Sequence, residues 1–82
     1  MSIERGQVII CLAGRDTGEY AVVLDSTDAT VTVANGKSRP IARPKVKNLK
    51  HVKVTAHRLN IDEMTSDRWL RQQLKMLQPT HL

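Results

Sequence analysis

Gln7-Val8-Ile9-Ile10-Cys11-Leu12-Ala13-Gly14-Arg15-Asp16-Thr17-Gly18-Glu19-Tyr20-Ala21-Val22-Val23-Leu24 is the stretch whose reading decides the fold. Gln7 to Leu12 is a β-branched, apolar-rich run closed by Ala13-Gly14, which reads as a first strand buried on both faces. Gly14 to Gly18 has turn chemistry at every position. Tyr20 to Leu24 then reads as a second strand. Two such runs around a five-residue loop start an antiparallel sheet.

Working outward, Asp25-Ser26-Thr27-Asp28 supplies the next turn, and Thr30-Val31-Thr32-Val33 alternates polar and apolar as a half-exposed strand does. Asn35-Gly36 is the strongest short hairpin signal, since a two-residue type I′ turn needs positive φ at both positions. A fourth strand is expected from about Lys37 to Ala42. Pro40 and Pro44 lack an amide hydrogen, so this strand should be short, at an edge, and followed by an irregular segment. A fifth strand fits Val52 to Ala56, with Val52, Val54 and Ala56 on one face and Lys53, Thr55 and His57 on the other. The fold class expected is mainly β: a small barrel of about five strands over residues 1–58. Residues 59–82 should form a linker and a C-terminal helix. Thr65 or Ser66 can cap that helix, Leu70, Leu74 and Leu77 fall at i, i+4 and i+7, and Pro79 is its stop signal.

The chain of 82 residues suits one domain, and a domain this small buries only about 60% of the surface its unfolded chain exposes. Thirteen Lys and Arg against eight Asp and Glu leave a formal net charge of +5, which attracts polyanions. Nucleic acid leads that list. A membrane surface would also attract such a chain, but Val8 to Ala13, the longest apolar stretch, is far shorter than the roughly 20 residues of a spanning helix. The N-terminus lacks the pattern of a signal peptide, and a cytoplasmic location is expected. Cys11 is the only cysteine, which leaves no internal disulfide and no thiolate zinc cage. Its apolar neighbours mark it as a buried structural thiol. With one Trp, one Tyr and no Phe, the chain can stack few bases, so the expected ligand is structured RNA held by its phosphates.

The cations are unevenly distributed. Lys37, Arg39, Arg43, Lys45, Lys47, Lys50, Lys53 and Arg58 lie in a stretch with no acid between Asp28 and Asp62. Asp16, Glu19, Asp25, Asp28, Asp62, Glu63 and Asp67 fall outside it. The segregation predicts one positive face, although lysines on strands often only keep edges soluble. His51, among these cations, can bond a phosphate or ribose or serve a structural role.

Gly6-Gln7-Val8-Ile9, then Ala13 to Gly18, then Val22-Val23-Leu24 resembles a KOW motif. It is similar to the "fourteen-e" and "twenty-seven-e" families of archaeal and eukaryotic large-subunit ribosomal proteins. Arg43-Pro44-Lys45-Val46-Lys47-Asn48-Leu49-Lys50-His51-Val52 resembles the segment that follows the barrel strands in the fourteen-e proteins. The short form with a C-terminal helix looks most like bacterial KOW-domain RNA-binding proteins. The resemblance implies a Src-homology-type barrel that contacts ribosomal RNA through its KOW loop and basic surfaces, without enzymatic activity and in the translation machinery. The residues expected at the RNA are Gly14, Arg15, Lys37, Arg39, Arg43, Lys45, Lys47, Lys50, His51 and Lys53. Gly14 and Gly18 have no Cβ and can bring backbone amides close to a phosphate. Extended basic tails of the long eukaryotic members are absent from this sequence.

Other motifs lead nowhere. Gly36-Lys37-Ser38 imitates the end of a P-loop, but Val31 stands where its first glycine belongs. His51, His57 and His81 lack a supporting Cys pair, and Ser2, Ser26, Ser38 and Ser66 have no His and acid in a recognisable order. No cofactor, metal or small-molecule substrate is expected. The leucine stripe of the tail should pack on the chain's own barrel, the alternative being a docking surface in which Trp69 anchors a protein partner. Two function classes therefore stand side by side: an RNA-binding or ribosome-associated protein, and a protein-binding KOW module of the transcription or translation machinery.

Overall fold

A computed structural model describes residues 3–78. Five strands, β1 (Gln7–Cys11), β2 (Tyr20–Ser26), β3 (Thr30–Ala34), β4 (Lys45–Asn48) and β5 (Val52–Arg58), precede one helix, α1 (Asp67–Leu77). They form a single open antiparallel sheet in the order β4-β3-β2-β1-β5. β1 to β4 follow as a meander because each connection is short or tightly folded. β5 then crosses to the far edge and pairs with β1. The crossing is a 3₁₀ turn, Leu49–His51. Leu49 N donates to Ala29 O at one end of the turn and Leu12 N to His51 O at the other, so the two sheet edges are drawn together into a barrel-like body.

The continuous apolar runs have a structural cause: this sheet is covered twice. Ile9, Cys11, Ala21, Val23, Val31, Val33 and Val52 fill the interior of the curled sheet, with Ile3 and Leu49 packed against them. Residues of opposite parity, Val8 and Val22, join Ala34 on the outer face, where Leu70 and Leu74 of α1 cover them. Val8 pairs with Val22 and Val22 with Ala34, so three strands present one apolar stripe to the helix. Ser66 caps α1, its side chain accepting from Trp69 N, and Asp67 in the first turn and Lys75 in the last complement the helix dipole. Trp69 and Leu77 are half-buried in the same outer cluster. The leucine stripe is therefore spent on the chain's own sheet. Pro79 and His81, like Ser2, lie outside the described residues.

Three expectations need correction. The fourth strand is Lys45–Asn48 and not Lys37 to Ala42. Residues 35–39 are instead gathered into a loop by Asn35, whose Oδ1 accepts from Lys37 N and Arg39 N, and Arg43 N bonds Pro40 O in a further turn. A ladder becomes possible only beyond Pro44. Asn35-Gly36 is not a type I′ pair either, since Gly36 alone has positive φ, +76°, and no described non-glycine residue does. Third, the alternation expected along β5 holds from Val52 to Val54, opposite Cys11 and Ile9, but breaks beyond Val54, where Gln7 faces Arg58. On this edge strand Val54 is 41% exposed, and Ala56, past the shift, is in solvent.

Candidate functional site

Antiparallel topology sends the loop 12–19, the loop 35–44, the start of β4 and the start of β5 to the same end of the sheet. That end collects Gly14, Arg15, Lys37, Arg39, Arg43, Lys45, His51 and Lys53, with Lys50 in the turn leading to it. Asp25, near the end of β2, and Asp28, in the turn joining β2 to β3, lie at the other end, where Glu4 precedes β1 and where Ala29 O accepts from Leu49 N, the residue before Lys50. Asp62 and Glu63 follow the end of β5 in a 3₁₀ turn.

Asp16, in the middle of the first loop, departs from this segregation. It is only 4% exposed. Arg39 Nε donates to its Oδ2 at 3.0 Å, Lys47 Nζ at 3.2 Å, and Ser38 Oγ reaches Oδ1 at 3.4 Å. Asn35 Nδ2 continues the network to Ser38 Oγ at 3.2 Å and to Glu19 Oε2 at 3.0 Å. Burial by itself would push the Asp16 carboxyl up, but the hydrogen bonds and charges of Arg39 and Lys47 outweigh it and hold it below the usual carboxylate range. A buried carboxylate that two cations keep ionised ties the first loop to the third connection and to β4.

Lys47 is consequently withdrawn from the surface on which it was expected. Its partner on β3 is Val31, an interior residue, so the period of two turns Lys47 inward and its side chain is only 8% exposed. Arg39 is partly withdrawn as well, at 28%. Arg58, in the same acid-free stretch, pairs with Glu4 across 2.9 Å. The remaining cations of that stretch, Lys37, Arg43, Lys45, Lys50 and Lys53, are exposed and have no acidic partner among the described residues. Gly14 and Gly18 take φ of +82° and +85°. A Cβ on Gly14 would stand 3.9 Å from Lys47 Nζ, which puts the exposed loop directly over the buried ion pair. Arg15 beside it is in solvent. The site thus has an inner anionic brace and an outer layer of free cations.

Sequence reasoning missed a second group of cations. Arg68, Arg71 and Lys75 project from α1 into a groove of about 600 Å³ that also contains Lys37, Tyr20 and Gln72. Their spacing of i, i+3 and i+7 puts them on one helical face, and that signal was present in the sequence. It was masked because these residues lie beyond the acid-free stretch, among Asp62, Glu63 and Asp67. Cys11 is buried as expected; burial pushes its thiol up, as do Asp16 and Glu19, against the lowering charges of Lys47 and Arg39. Among the described residues no group of three His, Cys, Asp or Glu is placed to hold a metal, and no helix is long and apolar enough to cross a membrane. No family model matches the chain.

Proposed function

We propose that this protein is a non-enzymatic RNA-binding module of the cytoplasm that grips the phosphates of structured RNA, most naturally ribosomal RNA, with the basic end of its barrel. The observation that carries the reading is the set of exposed cations without an acidic partner, Lys37, Arg43, Lys45 and Lys53, whose elements meet beside the glycine-bearing loop 14–18, with Lys50 in the 3₁₀ turn that leads to them. Cations that share one end of a small body without counter-charges repel one another, and a polyanion relieves that repulsion. The resemblance of the loop and of residues 43–52 to KOW proteins of the large ribosomal subunit points to the same ligand. Asp16 belongs to the reading as the brace that fixes the loop under its free cations.

Retention on ribosomal RNA across a salt series tests it. Binding should weaken steeply with salt, because each neutralised phosphate releases counterions. Reversing Lys45, Lys50 and Lys53 to Glu should lower both affinity and salt slope, by about one unit of slope per lost contact. Failure of the unaltered chain to bind RNA at low salt, with recovery of polymerase or ribosomal proteins by a tagged form, would transfer the assignment to the protein-binding class.

A further inference from the structure

Outside the basic end described above, charge also lines a groove between α1 and the two loops. Its wall on the helix side is Arg68, Arg71, Gln72 and Lys75, and its opposite wall contains Lys37 and Tyr20. The one acid lining it, Glu19, already accepts from Asn35 Nδ2. Arg71 Nη1 donates to Gly36 O at 2.7 Å, which locks the guanidinium stem to the loop while its remaining donors stay available. Arg68 and Lys75 are exposed and have no acidic partner among the described residues.

We infer that this groove is a second RNA-backbone site, continuous with the basic end through Lys37, so that α1 acts as an RNA-binding helix as well as a cover for the sheet. The inference rests on the RNA reading proposed above and extends it to residues that reading did not include. A helix rises about 1.5 Å per residue, so Arg68 and Lys75 are about 10 Å apart along the axis. Three long cations over that distance match a run of successive phosphates better than a single compact anion. Arg71 offers fork geometry suited to phosphate, and Arg68 and Lys75 extend the field to either side. Gln72, an uncharged donor and acceptor on the same wall, can reach a ribose hydroxyl or base edge. Lys37, at the tip of the loop 35–39, belongs to both surfaces, so one RNA strand can leave the barrel end and follow the helix.

The test uses the full chain carrying Arg68→Gln and Lys75→Gln together, two exposed positions whose replacement leaves α1 docked, with a thermal melt to verify the fold. A ribosomal RNA fragment and polyglutamate serve as parallel probes. The double variant should bind the RNA about tenfold or more weakly, with the salt slope smaller by about two. The effect should add to that of reversing Lys45, Lys50 and Lys53. Unchanged RNA affinity and slope in the folded double variant, while the barrel-end variant loses binding, overturns the groove and leaves the RNA reading standing. No RNA retention by the unaltered chain removes both. Polyglutamate bound as tightly as RNA, and lost equally in the double variant, overturns RNA as the occupant in favour of an acidic polypeptide.

Discussion

Asp16 determines how the basic residues divide into structural and exposed ones. Removing one partner of a buried ion pair leaves an uncompensated charge, which costs about 3 to 5 kcal/mol. An 82-residue chain has a total stability of about 4 to 12 kcal/mol. Asp16→Ala should therefore remove a large share of that stability, whereas Lys45→Ala, at an exposed position, should stay within about 0.5 kcal/mol of the parent. Urea midpoints measure both. The pH dependence follows from the lowered Asp16 carboxyl. A depressed folded-state value means that the ionised form is favoured by folding, so the contribution is complete above the ordinary value of about 3.9. It is lost as pH falls from there through the lowered value. Between pH 7 and pH 5 the gap in stability between parent and Asp16→Asn should be constant, and it should narrow below about pH 4. A gap unchanged down to full acid unfolding would mean that Asp16 is not held ionised by its cations. The sequence concealed this role because Asp, flanked by Gly-Arg and Thr-Gly, reads equally well as a turn residue. Its partners lie 23 and 31 positions away (39 and 47 minus 16), so no local pattern links them.

At the scale of elements, strands set by local apolar runs were legible, and the strand set by its surroundings was not. β1, β2, β3 and β5 carry their own β-branched residues and appear within a few residues of expectation. β4 is Lys-Val-Lys-Asn, which has no such signal. It is a strand because β3 offers it a ladder and because the loop wound around Asn35 and the turn at Pro40 exhaust the chain before it. The helix was legible from its leucine spacing, but its docking depends on a loop contact that spacing does not reveal. Gly36 and Gly18 share a similar positive φ, +76° and +85°, yet a Cβ on Gly36 would overlap the carbonyl of Asp67 in α1 whereas Gly18 has nothing within 4 Å. Gly18→Ala should cost only the backbone penalty, about 1 to 2 kcal/mol. Gly36→Ala should cost more than that and shift the Trp69 emission, because the first turn of α1 must move off the sheet. Equal losses in the two variants, with unaltered Trp69 fluorescence, would show that the helix does not lean on this loop.

For the whole molecule, the decisive feature is an unequal distribution of charge over a body with two thin apolar layers. Most of the loops that carry cations share one end of the sheet, while Asp25 at the end of β2 and Asp28 in the following turn lie at the other, so much of a net charge of +5 acts over a smaller region than its value suggests. Exposed charges a Debye length apart, about 10 Å at 0.1 M salt, are largely screened, whereas the buried pairs on Asp16 feel salt far less. The free chain should accordingly become more stable as NaCl rises from about 0.02 to 0.2 M. An RNA that binds only the folded state should raise the melting temperature at low salt, and at 100 times its Kd the gain is about 2.7 kcal/mol. For a domain of this size each kcal/mol moves the melting temperature by about 4 to 8 °C. The same salt that stabilises the free chain weakens binding, so at fixed RNA concentration the two melting curves should converge as salt increases. Melting temperatures with and without RNA at four or five salt concentrations would measure this. A free chain that loses stability with added salt would mean that attraction across the surface outweighs repulsion at the basic end, and the physical case for a polyanionic partner would fall with it.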